Sequence, residues 1–406
     1  MLKNIIFIIS LTSNILFPVI LSIFGGGYVG KEEGGKYIIF CASFWGITFL
    51  IFLLRIVLRA SQIYSKNNII WTGIPLLFIL SYGLEFPTGD LAVKYFQQFL
   101  LWSLPATYIG IYMANSISRT AVIWFWFMVI TSIGVVIGIV GPFINGNIFD
   151  SLAGASYQEA SYTASLSYSL NLFFLLFAHY FALPSFLYKK YVKILFFFLL
   201  FLQIMCVFIT GGRGGFVVIF CSTSIYFYCK YLFSELNMKK LAVSIILVII
   251  ILIGLIPILQ SNDVFTHGFS RVFSYISEDG IDMAQTSNRD IVYASTIELI
   301  QLKPIFGYGI FKYFETCMYP HNLFLEILLG RGLVYFILFI FIIALFIRKL
   351  INLITADRSN LLLLPFAVFS TTSLMVSGTY LTSSFFWFLS GYVFCTKVNS
   401  KKVNIK

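Results

Sequence analysis

The chain has 406 residues, of which 59% are apolar, 19% aromatic and only 11% charged, with a mean hydropathy of +0.93. Such values lie far outside those of soluble domains and exclude a water-soluble globular fold. The net charge of +11 reads as a membrane-topology signal plus attraction to anionic lipids, without any need for nucleic acid, and the six cysteines imply no disulfide framework.

The expected fold is all-α, a polytopic helical membrane protein. Apolar runs of about 20 residues span the hydrocarbon core, because a helix satisfies its own backbone polar groups there. Twelve are read in chain order. They are Ile5 to Phe24, Tyr37 to Leu58, Ile69 to Leu84, Leu91 to Met113, Ala121 to Gly141, Ala164 to Leu187, Ile194 to Thr210, Gly215 to Phe233, Leu241 to Leu259, Leu323 to Ile347, Leu361 to Val376 and Leu381 to Cys395. Lys3 precedes the first run as in a signal peptide, but no small-residue cleavage site follows, so this helix is expected to stay.

The loops placed inside by this count carry 18 of the 27 basic residues against two acids, Glu235 and Asp357, which puts both termini in the cytoplasm. Two longer loops then lie outside. Pro142 to Thr163 carries Asp150 and Glu159 and no basic residue, and Gln260 to Pro320 is the segment long enough for a small extramembrane domain. The organisation expected is helices 1 to 9 over 1–259, the large outer loop over 260–321, and helices 10 to 12 with a cytoplasmic tail over 322–406. Within the large loop, Ser287-Asn288-Arg289-Asp290 has the form of a capping box. It predicts a helix that stops near Lys303-Pro304, with Tyr293, Ala294, Ile297 and Ile300 on one face, suited to lying in the interface plane.

Three groups on the outer side carry the chemistry. Arg213 stands in Thr210-Gly211-Gly212-Arg213-Gly214-Gly215, where Gly212 and Gly214 let backbone approach a bulky anion and the next helix begins with its N-terminal dipole. Arg289 falls in the first turn of the loop helix. A guanidinium gives a phosphate two parallel hydrogen bonds and keeps its proton. His321, one of three histidines, lies in Pro320-His321-Asn322 at the opening of a membrane helix, with Glu326 about one turn on. It is the member of the set able to take up a proton near neutral pH. Each residue alone has a plainer reading. Arg213 fits an interfacial arginine reaching water, Arg289 a surface partner of Asp290, and Glu326 either an orienting group for His321 or a polar cap at the surface. His179 and His267 are taken as incidental.

The glycine-flanked Arg213, the Asn288-Arg289 helix opening, Pro304-Ile305-Phe306-Gly307-Tyr308-Gly309, and Pro320-His321-Asn322 followed by Leu325 and Gly332 together resemble the O-antigen polymerase and O-antigen ligase superfamily of bacterial inner-membrane proteins. The resemblance covers the whole chain in topology and is closest from Thr210 to Gly332. It implies that Arg213 and Arg289 bind the diphosphate of a polyprenyl-linked saccharide and that His321 assists glycosyl transfer at the periplasmic face. Asn322, Glu326, Tyr308 and the two glycines are read as substrate-binding residues beside them. Gly330-Arg331-Gly332 departs from the family pattern, and Arg331 is read either as a third phosphate contact or as a helix anchor. Tyr308, Tyr313 and Tyr319 are available to stack on sugar rings.

The activity so implied is polymerisation of undecaprenyl-diphosphate-linked repeat units into an O-antigen or capsule-type polysaccharide, with no cofactor and no metal. Membrane lipids, a chain-length regulator and a flippase are the expected partners. A ligase that moves finished polysaccharide onto lipid A core is the nearest alternative. A polyprenyl-saccharide transporter is the alternative from another class, disfavoured because charges gather on the outer face and not at the bilayer midplane.

Overall fold

The computed structural model describes residues 2–25, 34–63, 66–145, 152–153, 155–233, 276–277, 280–281, 289–317 and 319–397. The fold is all-α and polytopic. Eight described helices are long and apolar enough to cross a membrane, within 2–23, 35–54, 68–85, 117–144, 190–210, 213–232, 323–356 and 358–376. The helices are α1 (Leu2–Ile23), α2 (Gly34–Ile63), α3 (Lys66–Glu85), α4 (Asp90–Gln98), α5 (Leu104–Met113), α6 (Ala121–Ile144) and α7 (Tyr157–Phe177). They continue with α8 (Lys190–Thr210), α9 (Arg213–Leu232), α10 (Arg289–Leu302), α11 (Leu323–Ala356), α12 (Leu364–Val376) and α13 (Ser384–Cys395). A two-residue antiparallel pair, Ile276–Ser277 with Gly280–Ile281, is the one ladder among the described residues.

Twelve uniform spans were expected, and four stand differently. The ninth, Leu241 to Leu259, lies outside the described residues, as do His267, Asp150 and the expected cap Ser287. The fourth is one helical path, α4 and α5, opened by a π-turn at Phe99–Ser103. Pro105 accounts for the turn, since its ring has no N–H and crowds the carbonyl four residues back. The sixth starts at Tyr157 and ends at Phe177, earlier at both ends than its apolar run suggests. Ser156 and Glu159 close a capping box at its start, each bonding the other's backbone. The twelfth, Ser384–Cys395, is apolar but short.

The chain forms two compact units. The first comprises 1–14, 35–123 and 286–406; the second comprises 15–34 and 124–285. In the first unit, α5 and α13 cross on glycines: a Cβ on Gly110 would run into the Phe388 carbonyl, and one on Gly391 into that of Thr107. Small residues at the crossing let two backbones approach and gain dispersion contacts where lipid gives no hydrophobic drive.

In the second unit α7 is central, and its polar residues face inward. Gln203 of α8 donates to Ser132 of α6 and Ser167 of α7, both at 2.8 Å, and accepts from Asn171 at 3.1 Å. Tyr226 of α9 meets Ser169 at 2.7 Å. All of these side chains are buried, so each must find its partner inside the bundle. An apolar cluster built on Val135, Ile139, Ala164 and Val207 packs around the same helices.

Candidate functional site

The site region of the first unit is built on a broken helix. Within α11, Gly332 has φ +68° and ψ −173°, which interrupts the helical ladder. The interruption frees the carbonyls of Leu329 and Gly330 and the N–H groups of Leu333 and Val334. The segment Pro304–Gly309 takes up all four. Tyr308 N donates to Leu329 O at 2.9 Å and Gly309 N to Gly330 O at 2.8 Å, while Leu333 N donates to Pro304 O at 2.8 Å and Val334 N to Ile305 O at 3.4 Å. The break thus loses no backbone hydrogen bonds, which a membrane helix could not tolerate. Gly307 has φ +65°, and a Cβ there would lie 2.6 Å from Arg331 N, so both of these glycines are required by the strap's close approach.

Glu85, at the end of α3, fastens the next stretch of the strap. Its carboxylate accepts from the N–H groups of Ile310 and Phe311 at 2.9 Å and of Lys312 at 3.2 Å, and from Ser81 Oγ at 2.5 Å. Arg331 completes the cluster. Its guanidinium donates to Ser81, lies 3.4 Å from Glu85 and packs over the Tyr335 ring. Of the two expected roles for Arg331, the geometry matches the helix anchor. Glu85 was not read from the sequence; the signal was a lone acid closing an apolar span.

α10 runs from Arg289 to Leu302, ending where Lys303-Pro304 predicts, and packs against α11. Its expected apolar face is largely open: Ile297 and Ala294 are exposed, and Thr296 is the side chain that is buried. The other end of the strap leads to His321, which has φ +53°, a left-handed conformation uncommon outside glycine. The turn brings the imidazole to the end of α12. Nδ1 lies 3.4 Å from the Ser377 carbonyl, and the Tyr319 ring meets the imidazole edge-on at 4.5 Å. Burial lowers the pKa of His321, the Ser377 carbonyl opposes that shift, and the positive charge of Arg289 lowers it further. Arg289 and His321, separated by the whole strap in sequence, are therefore electrostatic neighbours.

The flanking residues have structural partners. Asn322 is the N-cap of α11, its side-chain oxygen accepting from Phe324 N at 3.0 Å and Leu325 N at 3.2 Å. Glu326 is fully buried and accepts from Tyr313 Oη at 2.8 Å, from Thr379 Oγ1, and from Tyr380 N at 3.4 Å. Tyr313 was expected to be free to stack on sugar. Its ring is completely buried, burial raises its pKa well above the usual phenol value, and its hydroxyl is committed to Glu326. Tyr308 is half-buried, with Lys303 Nζ 4.5 Å from its ring centre.

Arg213 belongs to the second unit and is the first residue of α9, following the left-handed Gly211 that ends α8. Both flanking glycines are buried against α7. A Cβ on Gly212 would strike Ser161, whose Oγ donates to the Gly212 carbonyl at 2.8 Å, and one on Gly214 would strike Tyr162. Their missing side chains serve the packing of α7 on α9, a requirement the sequence reading assigned to an anion.

Residues 197–340, about a third of the chain, match the family model for O-antigen ligase, a span that holds Arg213, Arg289, the strap, the broken helix and His321. The match makes this region similar to the O-antigen polymerase and ligase superfamily. Comparison with curated proteins and with solved structures returns no significant match. The members of this superfamily are glycosyltransferase-like enzymes, and the superfamily region here includes both the titratable group and the cation that acts on it.

Proposed function

We propose that the chain is a polysaccharide polymerase that joins undecaprenyl-diphosphate-linked oligosaccharide repeat units at the periplasmic face of the inner membrane. The observation that carries the reading is the partly buried His321 imidazole held at the Ser377 carbonyl, its pKa lowered by burial and by the charge of Arg289, inside the region that matches the family. His321 takes the proton of the acceptor hydroxyl. The hydroxyl oxygen forms a bond to the donor's anomeric carbon, and the bond from that carbon to the diphosphate breaks with its electron pair leaving on the diphosphate. Arg289 stabilises the charge that develops there. Arg213 is proposed as a second diphosphate-binding group on the strength of the family resemblance. The donor is already activated, so the scheme calls for neither nucleotide nor metal.

The ligase reading, transfer of finished polysaccharide to lipid A core, uses the same donor and is favoured by the description of the matching family. Purified protein in lipid nanodiscs, mixed with lipid-linked repeat units, separates the alternatives. A ladder of products on a gel supports the polymerase, transfer to lipid A core alone supports the ligase, and unchanged substrate crossing a vesicle membrane supports a transporter. His321→Ala should abolish turnover while leaving binding of the lipid-linked donor intact; full activity in that variant would remove the base from the scheme.

A further inference from the structure

We propose that Glu326 is a positioning residue that sets which ring nitrogen of His321 is free to accept a proton. The inference rests on His321 being the base. A carbonyl oxygen only accepts, so the bond between Nδ1 and Ser377 O places the hydrogen of the neutral ring on Nδ1 and leaves the lone pair on Nε2. The question is then what holds that carbonyl still.

Ser377 ends α12, where the N–H groups of Ser377 and Gly378 both bond back to Ser373 O at 2.8 and 2.9 Å. Beyond it the chain crosses to α13 through Thr379 and Tyr380, and both donate to Glu326: the threonine hydroxyl to Oε1 and the Tyr380 N–H to Oε2. Tyr313 adds a third donor from the far side. Glu326 itself is fixed in the first turns of α11, whose cap is Asn322, the neighbour of His321. One carboxylate therefore joins the helix that begins beside the imidazole to the chain two and three residues past its acceptor, Ser377. If Glu326 merely satisfied buried hydroxyls, the state of the imidazole would not depend on it.

The test uses the full chain in nanodiscs with lipid-linked repeat units, and compares Glu326→Gln, Glu326→Ala and Thr379→Val. Turnover is expected to fall about 10- to 100-fold in Glu326→Ala, the size seen for groups that orient a metal-bound imidazole, and less in Glu326→Gln, which keeps one acceptor oxygen, with KM little changed. Nitrogen-15 spectra of the His321 ring should show the Nδ1–H tautomer in the parent chain and a mixture in Glu326→Ala and Thr379→Val. Thr379→Val keeps the test open should Glu326→Ala fail to fold. An unchanged tautomer in the folded variants overturns the proposal whatever their activity. A shifted tautomer alongside a fully active His321→Ala variant would instead sink the role of His321 as base and leave the orienting contact standing.

Discussion

Removing the Glu85 carboxylate should detach the strap from α3, and the structure lets the size of the effect be worked out. Glu85→Ala leaves the N–H groups of Ile310 and Phe311 without their acceptor, and both residues are buried. A buried donor left unsatisfied costs roughly 1–3 kcal/mol, so the two together cost about 2–6 kcal/mol. The Lys312 N–H belongs to an exposed residue and exchanges its bond for water. Arg331 loses its counter-ion but keeps Ser81 and remains 24% exposed, so its share is limited to about 1 kcal/mol. Arg331→Met should accordingly cost far less than Glu85→Ala, because the carboxylate would still hold three backbone donors. Hydrogen exchange read by mass spectrometry on peptides covering 304–316 reports the local opening directly. At about 1.4 kcal/mol per tenfold, protection of Ile310 and Phe311 should drop by a factor of about 30 or more in Glu85→Ala, and by less than about tenfold in Arg331→Met. Equal losses in the two variants would refute the reasoning and make the ion pair, not the backbone cap, the fastening.

Further outcomes follow from the same geometry. The pKa of His321 is lowered by burial and by Arg289, so the base stays neutral to below the ordinary imidazole value of about 6.5, and the acid limb of the kcat/KM profile should fall beneath it. Because the unfolded chain binds that proton more readily, stability should also decline as pH falls from the unfolded value toward the lowered folded one. Gly332→Ala places a side chain at φ +68° against the Ile305 carbonyl, and should cost at least about 2 kcal/mol of stability in a thermal unfolding assay; an unshifted transition would contradict the strap description. Arg213→Lys keeps the charge and loses the planar fork, so turnover should fall if two parallel bonds to a diphosphate are made, and full activity would exclude them. Gly214→Ala should perturb packing of α7 on α9 whether or not substrate is present, since Tyr162 occupies the space.

The long apolar spans were legible because composition alone determines them: a run of Leu, Ile and Phe has no other stable place than lipid. The end of α10 at Lys303-Pro304 was legible for the same local reason. What failed to show in the sequence depends on partners far away along the chain. The apolar run placed the sixth span at Ala164 to Leu187, later than α7, whose serines and Asn171 are polar groups paired inside the bundle with partners such as Gln203. The cap role of Asn322 had a local signal, an asparagine directly before an apolar helix, and was passed over in favour of substrate binding. Glu85 stands out locally as an acid closing an apolar span, but its partners lie 225 to 227 positions away and no local pattern identifies them.

Gly307-Tyr308-Gly309 and Gly332 resembled the superfamily as separate pieces, but their meaning is joint. A helix broken at Gly332 exposes two carbonyls and two N–H groups, and the strap supplies the four complementary groups in register. The strap is also the covalent link between α10, which opens with Arg289, and the turn that carries His321. Its start is bonded to the broken helix and its continuation to Glu85, so backbone hydrogen bonds fasten the described part of the strap between the helix that opens with Arg289 and the turn that carries His321. That accounts for a loop residue with φ +53° persisting at His321: the constraint on either side determines its backbone, and the imidazole is delivered to the Ser377 carbonyl as a result. In the proposed transfer, a base and a cation that act together gain from such anchoring, because burial lowers the pKa of His321 first and the Arg289 charge adds to it only while the two stay near each other.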